Sequence, residues 1–397
     1  MHEAIFTLQQ ETPIIHFLHD QPGATLRATE LKPKLDKFIL GDFQKIEPMA
    51  SFQFAETIQK LRQTVNDNKP STYQVFIEPP KKEPQFLYFE SRLTAREKET
   101  VPSILKSKLR RPELKVVEPS PFFANNDKRK DGEKGKEEKW DELRLGIFHQ
   151  EAIKVHVKTW DSKLLDLIKI ALPLLFCVEN FGMRQSKGFG CFRETSISNE
   201  AFHKAVKTVF VFSKKTPVPI SIFSGIDETY KLLRNKAGAK QNQNKYSDEP
   251  SEASAIRDYF EEQVPSIEWE KWLITNQLVY DDDYTRENEV RFVRALLGLP
   301  GLHDYPQTRE KIKVQIADIS AGEKAERYRS PILFKVFNDW LYLLAKDVDP
   351  QMLGREFMFF VGENKDENPR KAALFTPDNF EIADFLTEKL PNNWQNV

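Results

Sequence analysis

Cysteine is almost missing from this chain: two thiols, Cys177 and Cys191, in 397 residues. Two cannot build a four-ligand zinc site or a disulfide framework. Both read as small buried apolar residues in a reducing, cytoplasmic compartment. Neither sign of charge prevails, because 59 basic and 60 acidic residues leave a formal net charge of −1. Whole-chain electrostatics therefore do not announce a nucleic-acid binder, and any basic footprint must be local. No uncharged run reaches the length of a membrane helix, so no membrane partner is expected. The start, Met1-His-Glu-Ala, is acidic and lacks the apolar core of a signal peptide. Glycine is scarce, 15 residues, whereas phenylalanine is abundant, 30 residues. That balance suits packed sheets and helices rather than disorder. The length suggests two domains at roughly 150 residues each.

The pattern along the chain has a recognisable order. Glu3 to Phe17 reads as a strand interrupted at Thr12-Pro13 and resumed at Ile14 and Ile15. Leu26 to Ile39 reads as a helix with Thr29 as N-cap, Glu30 in its first turn and Pro33 near its start. Its apolar stripe is Leu31, Leu35, Phe38 and Ile39, with Lys32, Lys34 and Lys37 off the stripe and Arg27 just ahead. Tyr73–Ile77 and Gln85–Phe89 read as two strands of a wide hairpin around Pro79 to Pro84. A basic patch follows at Lys106 to Arg111. Asn125 to Lys139 has no apolar residue and reads as a solvated, disordered insert. Leu143–His149 and Ile153–Val157 alternate as strands, and Leu164 to Phe176 carries helical spacing.

The second half, from about Lys204, reads as another α+β domain. Strands are expected at Val206–Phe212, Pro331–Phe337 and Glu356–Val361. Helices are expected at Ser224–Lys236, Ala255–Gln263, Glu268–Leu278, Val290–Leu297 and Phe375–Leu390, with a polar, mobile stretch at Gly238 to Glu252. The domain division is 1–203 and 204–397.

The stretch richest in chemistry is Phe181-Gly-Met-Arg-Gln-Ser-Lys-Gly-Phe-Gly-Cys-Phe192. Gly182, Gly188 and Gly190 permit positive φ and close backbone approach. Peptide N–H groups in such a turn can face an anion, Arg184 can fork onto a phosphate, and Lys187 adds a point charge. The order is helix, loop, strand, the reverse of a nucleotide loop, and the Walker ending is missing, so no ATP or NAD site is expected. The alternative reading is a tight turn with surface cations. Phe192 belongs in the core; Phe189 either anchors the loop there or stacks on an unpaired base.

Gly182-Met-Arg184-Gln-Ser-Lys187-Gly188-Phe189-Gly190 resembles the signature Gly-x-Arg-x-x-x-Gly-Phe-Gly of the RAMP superfamily, the repeat-associated proteins of CRISPR effector complexes. Gly23 to Lys32, Arg294 to Pro300 and Arg329 to Lys335 resemble segments of one branch, the first subunits of the Cmr (type III-B) complex. The resemblance implies ferredoxin-like βαββαβ domains, two of them with insertions, the second possessing a degenerate form of the fold. It also implies a non-catalytic subunit that holds guide or target RNA beside other subunits of the complex, without metal or cofactor. The residues expected at RNA are Gly182, Arg184, Lys187, Gly188, Phe189 and Gly190, with Arg27, Lys32 and Lys34 from the first helix. Two rival readings stay open. One is a metal-independent guide-processing endoribonuclease, with His16 and His19 as general acid and base; the other is a purely structural bridge. Asp281-Asp-Asp283 is the tightest carboxylate cluster and reads as a solvated acidic turn rather than a magnesium site.

Overall fold

The computed structural model describes residues 1–16, 25–67, 69, 72–89, 99–100, 102–103, 106–107, 113–117, 145–206, 209–212, 222–234, 254–264, 268–269, 290–298, 302–304, 311–316, 328–361 and 371–397. His19, Lys108 to Arg111, Asn125 to Lys139, Gly238 to Glu252, and Asp281 to Asp283 lie outside the described residues. The chain divides into two compact units: Met1–Asp227 with Leu333–Leu344 and Asn393–Val397, and Glu228–Ile332 with Ala345–Asn392.

The first unit is organised around six elements. These are β1 His2–Gln10, α1 Ala28–Leu40, β2 Tyr73–Glu78, β3 Ile153–Thr159, α2 Ser162–Val178 and β4 Phe192–Glu194. Their sheet runs β2-β3-β1-β4 with every neighbouring pair antiparallel. This is the βαββαβ arrangement expected from the sequence. Alternation explains which face is buried. Phe6 and Leu8 lie opposite Val155 and Ile153, and all four are in the core. On the same core lie Leu31, Leu35, Phe38 and Ile39 of α1 and Leu164, Leu165, Leu167 and Ile168 of α2, so both helices cover one face of the sheet.

Local chemistry sets the helix starts. Asp161 caps α2, its side chain accepting from the amides of Lys163 and Leu164 at 2.9 and 3.1 Å. α1 starts two residues earlier than a Thr29 cap implies: Arg27, in extended conformation, is its N-cap, and Thr29 lies inside the helix. Arg27 makes no side-chain cap; its carbonyl accepts the amides of Glu30 and Leu31 at 3.1 and 2.8 Å. Pro33 sits within the helix.

The expected hairpin of Tyr73–Ile77 with Gln85–Phe89 does not form. Tyr73–Glu78 pairs with β3, whereas Gln85–Phe89 joins a second sheet between Leu145–Phe148 and Lys115–Val117. Ile14–Ile15 is the outer strand of that second sheet, so the Thr12-Pro13 break is where the chain changes sheets. A third sheet orders Ile332–Phe337, Trp340–Ala345, Val209–Phe212 and Trp394–Asn396.

The second unit carries a six-stranded mixed sheet, with Glu356–Val361 between Lys371–Phe375 and Lys311–Ile316. Phe292, Phe357, Phe359 and Leu374 form its core cluster. Helices Ala255–Gln263 and Ile382–Lys389 meet through Tyr259, whose ring stands 5.4 Å from that of Phe385. Three helix expectations change here. Glu268–Trp269 is a strand, the remainder of that expected helix, residues 270–278, lying outside the described residues; Val290–Arg291 is a strand followed by a 3-10 turn Val293–Leu297; and the terminal helix covers only Ile382–Lys389 because Phe375 ends a strand. In each case apolar spacing that also fits a helix is taken by sheet pairing. Both units mix helix and sheet, as the α+β reading requires.

Candidate nucleic-acid interface

The loop leaves α2 at Glu179, whose amide still bonds to Leu175 O, and it closes on itself at its base. Phe181 N–H donates to Gly190 O at 2.9 Å. The Phe181 ring packs on Phe176 and Phe192, with centroids 5.1 and 6.0 Å away. Gly190 has φ +67°, and a Cβ there would stand 1.8 Å from Phe181 O, so no side chain fits. Gly182, at φ +77°, would place a Cβ 2.7 Å from Ile15 O. The loop therefore lies backbone to backbone on the segment that links β1 to the second sheet. Met183 N–H donates to Ile15 O and Gly190 N–H to Pro13 O, both at 2.9 Å. Thr12 fastens the far side, its hydroxyl donating to Gly188 O at 2.7 Å and accepting from Cys191 N–H at 2.9 Å.

The tip is two overlapping turns, Lys187 N–H to Arg184 O at 2.9 Å and Gly188 N–H to Gln185 O at 3.2 Å. Arg184 itself takes φ +57°, a left-handed conformation that costs a non-glycine residue about 1–2 kcal/mol. Surrounding contacts must hold it. Asn180, fully buried, donates its side-chain amide to Gln185 O at 2.8 Å and Phe334 O at 2.9 Å. Its Oδ1 accepts from Lys335 Nζ at 3.1 Å, and Lys335 also donates to Glu179 O at 2.8 Å. Burial pushes the Lys335 ammonium below the usual lysine range. Sequence reasoning gave neither Asn180 nor Lys335 a role. The available signal was one lysine inside the otherwise apolar strand Ile332–Phe337.

The nine residues expected at RNA separate into groups. Arg184 and Lys187 are half-buried at the loop tip. Gly182, Gly188 and Gly190 shape the backbone. Phe189 is the correction: it is fully buried, stacked on Phe223 at 4.5 Å and edge-on to Phe89 at 4.9 Å. Its ring is an anchor of the loop, with no open face for a base. Lys34 comes to the loop but is engaged there. Its Nζ donates to Asn180 O and to Gln185 Oε1, the latter at 2.9 Å, pairs with Glu30 at 3.3 Å, and lies over the Phe181 ring at 4.5 Å. Lys32 points elsewhere, to Tyr73 O at 3.0 Å and over the Tyr73 ring at 4.7 Å. Arg27 is half-buried beside His16. Burial first, and the Arg27 cation second, hold His16 below the usual histidine range.

Other titratable groups reflect packing. Burial pushes the Cys177 thiol up to about 12 and Cys191 up as well. Both cysteines are buried, as expected of small apolar residues. Among the described residues no three His, Cys, Asp or Glu side chains gather as metal ligands. Among them, too, no helix is long and apolar enough to cross a membrane.

A βαββαβ unit whose second helix runs through a Gly-x-Arg-x-x-x-Gly-Phe-Gly loop into its fourth strand is the architecture of a CRISPR-associated RAMP protein. Comparison with family models is more specific: residues 1–238 match the Cmr1 N-terminal domain and residues 251–396 the Cmr1 C-terminal domain. The chain therefore belongs to the Cmr1 family, whose members are subunits of the type III-B Cmr effector complex. Among solved structures, apo Cmr1 from Pyrococcus furiosus is similar at 11% identity and a TM-score of 0.38, covering 100% of this chain and 98% of that one. No curated protein matches the chain.

Proposed function

We propose that this chain is a non-catalytic RNA-binding subunit of a cytoplasmic type III-B interference complex, and that its glycine-rich loop meets the phosphates of guide or target RNA. The observation that carries the reading is the loop tip. It holds Arg184 and Lys187 three residues apart on a backbone locked to two sheets, with Arg184 in a left-handed conformation. Local backbone strain of this kind gathers at binding sites. Arginine and lysine on a rigid turn position a phosphate backbone without reading sequence. Arg27, the N-cap of α1, is the further cation that the proposal adds to this basic rim. Lys32 and Lys34 contribute to the fold of the rim instead, through Tyr73, Asn180 and Gln185.

The non-catalytic part of the proposal draws support from His16. A general base has to reach the proton it removes. His16 is only 4% exposed and lies on the strand-to-helix approach, behind the surface. Filter binding of guide-length RNA across a salt series tests the main claim. Arg184→Ala should weaken binding and flatten the log–log salt slope by about 0.7, the share of one phosphate on a single strand. Unchanged affinity and slope in Arg184→Ala and Lys187→Ala would refute it. A single-turnover assay on labelled RNA, with and without divalent metal, tests the rest: cleavage abolished by His16→Ala would identify the endoribonuclease.

A further inference from the structure

Backbone amides in a glycine turn are the groups that an RNA phosphate would be expected to seek. At the first glycine of this loop that place is taken. Gly182 N–H donates to both carboxylate oxygens of Glu30, at 2.8 and 3.1 Å. Glu30 comes from the first turn of α1, where a negative charge is favoured by the helix dipole. It also accepts from the side-chain amide of Gln185 at 3.2 Å and pairs with Lys34, one helical turn on, at 3.3 Å. Gln185 donates to Gly182 O at 2.7 Å and accepts from Lys34 at 2.9 Å. These bonds bracket Arg184 through Gly182, two residues before it, and Gln185, the residue after it.

Resting on the RNA-binding reading above, we infer that Glu30 is a positioning residue: an internal carboxylate that fills the loop's first amide and thereby holds Arg184 in its left-handed conformation. RNA is then met by the Arg184 side chain, and not by the Gly182 amide. The specificity of the site follows from this. A contact made by a forked guanidinium on a fixed turn selects the direction of approach of a phosphate, which a bare amide nest does not. Lys34 belongs to the same clasp, because its ammonium has three donors and Asn180 O, Gln185 and Glu30 take them.

The test uses the full chain in three variants. Glu30→Gln keeps an oxygen that can accept from Gly182 N–H; Glu30→Ala does not; Gln185→Ala removes the second strand of the clasp. RNA affinity is measured by filter binding across a salt series, and exchange of the Gly182 amide by NMR or mass spectrometry. The expected result is that Glu30→Ala and Gln185→Ala each weaken RNA binding roughly tenfold, as loss of a phosphate-contacting arginine does. Their salt slopes should flatten by about 0.7. Glu30→Gln should restore both, and Gly182 exchange should be fast in Glu30→Ala alone among the two Glu30 variants. If Glu30→Ala binds RNA as tightly as the parent or more tightly, Glu30 competes with phosphate and the inference is wrong. Unchanged Gly182 exchange in Glu30→Ala sinks it too. Should the parent chain bind no RNA, the functional proposal fails, and Gly182 exchange still decides whether the clasp exists. Should Glu30→Ala not fold, Gln185→Ala and Glu30→Gln carry the same comparison.

Discussion

Replacing Phe189 by alanine separates an anchor from a stacking platform. The ring is fully buried, with Phe223 stacked at 4.5 Å and Phe89 edge-on at 4.9 Å. Truncating a buried phenylalanine costs about 3–5 kcal/mol through lost transfer energy and the cavity left behind. The two aromatic pairs lie within that figure, at about 0.5–1.5 kcal/mol each beyond area. Domains are stable by only about 5–15 kcal/mol, so the change is a large fraction of the whole. A solvent-facing stacking residue behaves oppositely: its removal costs about 1–3 kcal/mol of binding per base and little stability. The assay is urea denaturation followed by tryptophan fluorescence, with RNA binding measured at a temperature where the variant is folded. The midpoint should fall substantially in Phe189→Ala and modestly in Phe189→Leu, which refills most of the volume. A midpoint within error of the parent, together with RNA affinity reduced fivefold or more, would refute the anchor.

Two further outcomes follow from the glycines and from the buried imidazoles. Gly190→Ala should destabilise by about 2 kcal/mol or more, since it adds left-handed strain and a Cβ 1.8 Å from Phe181 O. Gly225→Ala, in the helix Ile222–Arg234 where the nearest atom is 3.7 Å off, should be neutral or stabilise by up to about 1 kcal/mol. Equal effects of the two on thermal midpoint would contradict the loop geometry. For pH, His16 and His149 are both held below the usual histidine range, chiefly by burial. The unfolded chain then binds protons first, so stability is complete above a pH of about 6.5 and is lost as pH falls through the depressed folded values. Denaturation midpoints between neutral and mildly acid pH should show this fall, and His149→Gln should lessen it; a midpoint rising on acidification in that window would contradict the assignment.

Much of the candidate site could be read from residue order. The stripe Leu31, Leu35, Phe38 and Ile39 required a helix with one buried face, and Ile153, Val155 and Val157 required a strand with one buried face. Glycines with cations between an apolar helix and an alternating strand required a tight, basic turn. Such inferences succeed because periodicity and glycine chemistry are local properties of the backbone. Partnership is not local. Tyr73–Glu78 and Gln85–Phe89 carry equally good strand patterns, and only the assembled core assigns them to different sheets. Phe189 has the same sequence environment whether it faces a base or Phe223. Lys34 and Arg184 look alike as cations, yet one spends its donors on Asn180, Gln185 and Glu30 while the other sits half-buried at the loop tip in a left-handed conformation. Lys335 joins the site from about 150 residues away because a buried ammonium must find carbonyl oxygens, and Glu179 and Asn180 supply them. Sequence alone therefore determined the elements and the chemistry of the loop. Tertiary structure decided which charges are drawn into the fold, as Lys34 and Lys335 are, since hydrogen-bond satisfaction depends on neighbours brought together only by folding.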